Sequence, residues 1–385
     1  MKETAERGDK PYPVVTIVLT LTGFGVGIAL LYFGRQILIP LVLALFLTVL
    51  LTAVIEQVET LRPFGWTIPR WVVYLASLLV LLMVIGGSVM ILADQAESVA
   101  AAAPRYAERL EALFASLTAL AGEEIARRTQ EALAQVDLGE GVSFAIGSAS
   151  AFLNGLFLVL LFLTFLLLER RPFQKKLALL STDPRERARL VDMARSISSS
   201  LQRYVGIKTL ASLLTAGLSY AAMKPVGLDF AETWALLAFF LNFIPTVGSI
   251  LGVFFPTLAA MVQFDTVTPI LVVLLGCGAA QFLIGNIVEP SMTGKSLNLS
   301  TFVVILSLTF WGFLWGTAGA LLSVPIAVVV MIVLAHIPSL RWIAVLMSSD
   351  GKLSVGADFV VKTGGELTSQ AGDAENGQQR ERRRE

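Results

Sequence analysis

The chain has 385 residues, of which 55% are hydrophobic and only 15% charged, whereas soluble domains carry about 25% charge, so an ordinary water-soluble fold is excluded. Lys and Arg total 29, as do Asp and Glu, and this zero balance points to neither nucleic acid nor a uniformly charged partner. The single cysteine, Cys277, excludes an intrachain disulfide and a thiolate metal cage.

Lys2, Arg7 and Lys10 precede an apolar run over 14–34, which is longer than the apolar core of a signal peptide and is read as a retained first transmembrane helix. A hydrocarbon core about 30 Å thick takes about 20 helical residues to cross. Runs free of Asp, Glu, Lys and Arg cover 14–34, 36–55, 71–93, 142–168, 209–223, 233–264, 266–288 and 296–340. None alternates as strands do, so helices rather than a barrel are expected. The fold class is all-α: a polytopic integral membrane protein with about 6–8 transmembrane segments.

Orientation follows the Lys and Arg of the short loops. Residues 170–208 carry ten of them, from Arg170 to Lys208, so this basic helical loop is expected in the cytoplasm. Counting back through four crossings (helices 1–3 over 14–93, helix 4 over 142–169) places the N-terminus inside and 94–141 outside. In that outer segment Leu110, Leu113, Phe114, Leu117 and Leu120 recur at helical spacing, predicting amphipathic helices. The C-terminal region over 209–340 is expected to carry transport. The polar stretch 348–385 is expected to be a disordered cytoplasmic tail. The location implied is the bacterial inner membrane.

Two segments are too long for one upright helix and too short for two crossings. Each is interrupted: the first at Asn242, Pro245 and Gly248, the second at Gly316 and Gly319, where Pro and Gly break the hydrogen-bond ladder. Re-entrant hairpins are one reading and kinked crossings the other. Thr246, Gly248, Leu251 and Val253 align with Thr317, Gly319, Leu322 and Val324, a weak internal repeat of the kind found in transporters.

Polar groups within the bilayer are costly and are candidates for function. Gln281, Gly285 and Glu289 stand at i, i+4 and i+8 with Asn286 beside them, predicting a polar stripe facing a cavity. Glu289 suits a cation, a proton or solute hydroxyls, or else an interfacial pair with Lys295. Asn242 suits a neutral polyol or caps the broken helix. Thr246, Ser249 and Thr317 offer hydroxyls near the breaks, or simply bond their own backbone. His336, the only histidine, has no second ligand, so no metal site is expected. No phosphate-binding loop and no nucleophile–base pair appear, so the chain is read as neither an ATP-driven pump nor an enzyme, and no cofactor is expected.

Three motifs in order, Phe243 to Gly252, Gly285 to Ser300 and Gly316 to Pro325, resemble the C-terminal signatures of the autoinducer-2 exporter family. The hydropathy layout is also similar. This resemblance implies export of a small hydrophilic signal, sodium/proton exchange in some members, and a homo-oligomer. The leading reading is therefore a secondary exporter of a small polar solute, with a proton or sodium as possible coupling ion. The alternatives are a cation antiporter and, from another class, a non-transporting membrane scaffold.

Overall fold

The computed structural model describes residues 13–61, 155–169, 182–293 and 298–352, with isolated positions between 72 and 180. The outer segment expected over 94–141 lies almost wholly outside the described residues, as does the tail from 353 onward. The described chain is helical, and its only β feature is one isolated bridge between Leu299 and Ser348. The protein is thus an all-α polytopic membrane protein. Among the described residues four helices are long and apolar enough to cross a membrane, at Arg35–Thr52, Pro184–Met223, Val267–Met292 and Thr301–His336. Their outward surfaces are apolar, as at Leu275, Phe302 and Phe313, which suits contact with lipid.

The chain forms two units. The first comprises Met1–Leu51, Ile68–Arg171 and Ser307–Ser323. In it α1 (Pro13–Phe33) is followed by α2 (Arg35–Leu61) with only Gly34 between them, and α3 covers Gly155–Glu169. The second comprises Thr52–Thr67, Pro172–Leu306 and Val324–Glu385. It is built on α4 (Pro184–Met223), α5 (Ala231–Leu241), α6 (Val247–Gln263), α7 (Val267–Leu283), a π-turn (Ile284–Val288) and α8 (Glu289–Thr293). Helix α9 (Thr301–His336) runs from one unit's residues to the other's, and α10 (Arg341–Met347) follows.

Helix α4 differs from expectation. The run 209–223 is no separate segment but the end of a 40-residue helix, about 60 Å long at 1.5 Å per residue. It starts inside the basic loop because Asp183 accepts the Arg185 N–H at 2.9 Å and Pro184 opens the first turn, which are ordinary start signals. Its first half exposes Arg185, Arg187, Arg189 and Arg195, while its second half is buried against α5 and α7. Lys208, assigned by sequence to the loop, lies in that buried half.

The first over-long segment is a closed hairpin. After Gly227 (φ 74°) and Phe230 (φ 59°), α5 runs to Asn242, the chain turns through Pro245 and Thr246 (φ 62°), and α6 packs back along α5. At its open end the Gln263 side chain accepts the Asp229 N–H and donates to the Gly227 carbonyl, both at 2.7 Å. Midway, Trp234 stacks on Phe255 with centroids 6.4 Å apart. At the turn, a Cβ on Gly248 would lie 1.7 Å from the Leu241 carbonyl oxygen, so only glycine fits.

The second segment folds back in the same way. Helix geometry fails at Gly316 (φ 62°, ψ −140°), a backbone region open chiefly to glycine. Ser307 donates to the carbonyl of Ser323, 16 residues on, at 2.7 Å, whereas a straight helix would hold residues at that separation about 24 Å apart. A Cβ on Gly319 would lie 1.9 Å from the Trp311 carbonyl oxygen. Beside the tip, Trp315 donates its indole N–H to the carbonyl of Leu31 in α1 at 3.0 Å.

A small clasp follows α8. The Asn298 side chain donates to the Asp350 carboxylate at 2.6 Å and to the Lys352 carbonyl, while Ser300 N–H donates to Met347. Residues 348–352, expected as the start of a disordered tail, are therefore tied to the chain after α8.

Candidate solute site in the second unit

The inner face of α4 carries Tyr204, Lys208, Ser212, Thr215 and Ser219, spaced by three or four residues, and none is more than 7% exposed. Such spacing puts all five on one face of a helix. Sequence reading missed this row because it ended the loop at Lys208. The signal was the spacing itself, available had the polar positions on both sides of Lys208 been read as one helix.

Lys208 holds the row's only charge, and Glu289 compensates it. The ammonium donates to both carboxylate oxygens, at 2.7 and 3.0 Å, with side chains 9% and 24% exposed. Burying one of these charges alone would cost several kcal/mol. Glu289 is thus paired with Lys208, 81 residues earlier; the expected pairing with Lys295 falls on a residue outside the described ones. The π-turn makes this possible, since it carries one residue more than an α-turn. An added residue rotates everything after it by about 100°, and α8 with Glu289 at its head packs against α4.

The same rotation divides the expected stripe. Gln281, before the π-turn, is buried with its Nε2 against Gly252, where a Cβ would come within 2.7 Å. Asn286, within the turn, is exposed and donates to the Phe282 carbonyl of its own helix. Asn242 is buried and is the C-cap of α5, its backbone N–H bonded to the Ala238 carbonyl at 3.0 Å, while its side-chain amide donates to Ser212 at 3.0 Å, tying the hairpin tip to the row on α4. Thr246 and Thr317 are exposed, at the turns of two hairpins assigned to different units. Pro245, Gly248, Gly316 and Gly319 serve as breaks in the two hairpins.

Among the described residues of this unit, four side-chain atoms are buried without a hydrogen-bond partner: Tyr204 Oη, Thr215 Oγ1, Ser219 Oγ and Gln281 Nε2. Each such group costs about 1–3 kcal/mol. Serine and threonine in helices can bond the carbonyl one turn back, yet Thr215 and Ser219 do not. Three of the four lie on the one face of α4 and the fourth on α7, which packs against it. The arrangement is a line of unmet polar groups within an apolar bundle, beginning one turn before the ion pair and continuing past it.

Residues 21–339 match the sequence profile of the AI-2E family transporters. The AI-2 transport protein TqsA of Escherichia coli K12 is 30% identical over 351 residues, covering 87% of this chain and 98% of TqsA. A candidate transport protein of Borreliella burgdorferi is 38% identical over 204 residues, 53% of this chain and 56% of that protein. Another, of Haemophilus influenzae, is 29% identical over 321 residues, 82% and 90% of the two chains.

Proposed function

Because the chain belongs to the AI-2E family of transporters, we propose that it is a secondary exporter of a small hydrophilic molecule and that the solute passes along the polar face of α4. The observation that carries this reading is the set of buried, partnerless groups at Tyr204, Thr215, Ser219 and Gln281. A structural bundle gains nothing from leaving them unmet, whereas a solute or water passing through would satisfy them in turn. A scaffold would be better served by apolar residues there. Glu289 is engaged by Lys208, which disfavours reading it as an open sodium or proton site.

Bacterial inner-membrane residence, cytoplasmic termini and a homo-oligomer belong to the same proposal. The many Arg side chains on the first half of α4 favour that half facing the cytoplasm. TqsA is named for transport of AI-2, so AI-2-like signals head the list of solutes to try. The experiment is flux in sealed vesicles containing the purified protein, with and without imposed ion gradients. Thr215→Val should lower flux while the protein inserts normally. Undiminished flux in both Thr215→Val and Ser219→Ala would remove this face from the path.

A further inference from the structure

The two members of the buried ion pair are unequally held. Lys208 sits in the middle of a continuous 40-residue helix, with its side chain 9% exposed and Tyr204 and Ser212 a turn to either side. Glu289 heads a five-residue helix directly after a π-turn, and its side chain is 24% exposed. A π-turn is a rare interruption of an α-helix and is frequent at functional sites. Of the pair, then, the carboxylate is placed to leave and the ammonium is placed to stay.

If Glu289 withdraws, a buried ammonium is left that must be met by another negative charge. The unmet groups along the same face, from Tyr204 one turn before Lys208 to Thr215 and Ser219 about 10 and 16 Å beyond it, fit an anion's approach as well. Gln281 Nε2 can only donate, and Tyr204 Oη, Thr215 Oγ1 and Ser219 Oγ each have a hydrogen to give. Among the described residues of this unit no Asp or Glu is buried to repel one. Lys208 is also one turn from Ser212, which holds the Asn242 amide at the hairpin tip.

We propose that Lys208 is the binding site for an anionic group, a carboxylate, on a small hydroxylated solute, and that the Glu289 carboxylate is its resident substitute, displaced when the solute arrives. The solute's carboxylate takes the two ammonium donors that Glu289 now uses, and its hydroxyls meet the row on α4. The charge beside Lys208 is unchanged by the exchange, and the displaced Glu289 carboxylate moves to its exposed side. This inference rests on the transport reading above, but it concerns the class of solute and is tested without flux.

The test is thermal melting of the purified protein in detergent, at constant ionic strength, titrated with glycerate or with glycerol, its uncharged counterpart. Glu289→Gln removes the competing carboxylate, so the half-saturating glycerate concentration should fall at least ten-fold from that of the unaltered protein. Adding Lys208→Gln to Glu289→Gln should abolish the response, and glycerol should shift none of the proteins. Should Glu289→Gln fail to purify, Glu289→Asp, which reaches the ammonium less closely, should lower the half-saturating concentration a few-fold. No fall in either variant, the same glycerate response with and without Lys208, or an equal response to glycerol would overturn the proposal. Flux of a neutral solute in vesicles alongside such a result would leave the transport reading standing and remove only the anion site.

Discussion

Gly248 and Gly319 occupy the same place in two separate hairpins: each presents a bare Cα to a carbonyl oxygen of the preceding arm, that of Leu241 in one and Trp311 in the other. A methyl group at either position would lie within 2 Å of that oxygen, and the arm would have to move away. Gly248→Ala and Gly319→Ala are each expected to cost more than about 4 kcal/mol, the range reserved for steric disruption. Gly206 and Gly217 have nothing within 4 Å, and alanine there should be neutral or should stabilise by up to about 1 kcal/mol. Melting temperatures of the four variants decide it; a Gly248→Ala protein that melts with the parent would disprove the close approach.

Thr215→Val and Ser219→Ala remove hydroxyls that are fully buried and unpartnered. Each should raise stability, by about 1 kcal/mol or more, because an unmet polar group disappears at little change in shape. Transport should fall at the same time, a trade of activity for stability of the kind expected where polar groups are kept for function. A loss of stability in both variants would mean that the hydroxyls have partners in the bilayer.

Lys208 and Glu289 should show strong coupling. Lys208→Met or Glu289→Met alone leaves one buried charge without its partner and should cost about 3 kcal/mol, the low end for buried pairs because Glu289 is partly exposed. The double substitution should recover most of that loss. Additive losses in the double-mutant cycle would show that the two side chains do not interact.

The clasp after α8 should weaken in acid. The Asn298 amide, and after it the Lys352 N–H, hold the Asp350 carboxyl below its usual range. A carboxyl lowered in the folded state stabilises above its unfolded value near pH 4, and that contribution is lost as pH falls further through the folded value. Amide exchange at Ser349 and Lys352 should therefore be slow, relative to the unstructured rate, at pH 5 and less protected near pH 3. Asn298→Ala should remove the difference, and pH-independent protection in the unaltered protein would refute the role of Asp350.

Composition and apolar run lengths were enough to read an all-α membrane protein, because lipid allows few alternatives. The two broken segments were also legible, since Pro245, Gly248, Gly316 and Gly319 mark places where a helix cannot simply continue. The candidate site was only half legible. Asn242, Gln281 and Glu289 stood out as polar residues near apolar runs, and all three meet α4 or its neighbours. Their partners did not stand out, because Ser212, Thr215 and Ser219 are ordinary residues in membrane helices and Lys208 resembles the exposed basic residues before it. Asn286 was misplaced for a different reason: counting by four assumes an uninterrupted α-helix, and the π-turn at Ile284–Val288 breaks that count.

The first hairpin is fastened at three levels: the Gly248 contact at its turn, the Trp234–Phe255 stack midway, and the Gln263 amide at its open end. That amide uses its oxygen for one partner and its nitrogen for the other, so neither a flip nor a one-turn slip of the arms preserves both bonds. All three fastenings are uncharged, and salt should leave them intact. The two arms therefore move together, as a stiff paddle, and any swing must be taken up by the backbone on either side: at Gly227, with its φ of 74°, and at Phe264 to Thr266, where both helix ends are extended.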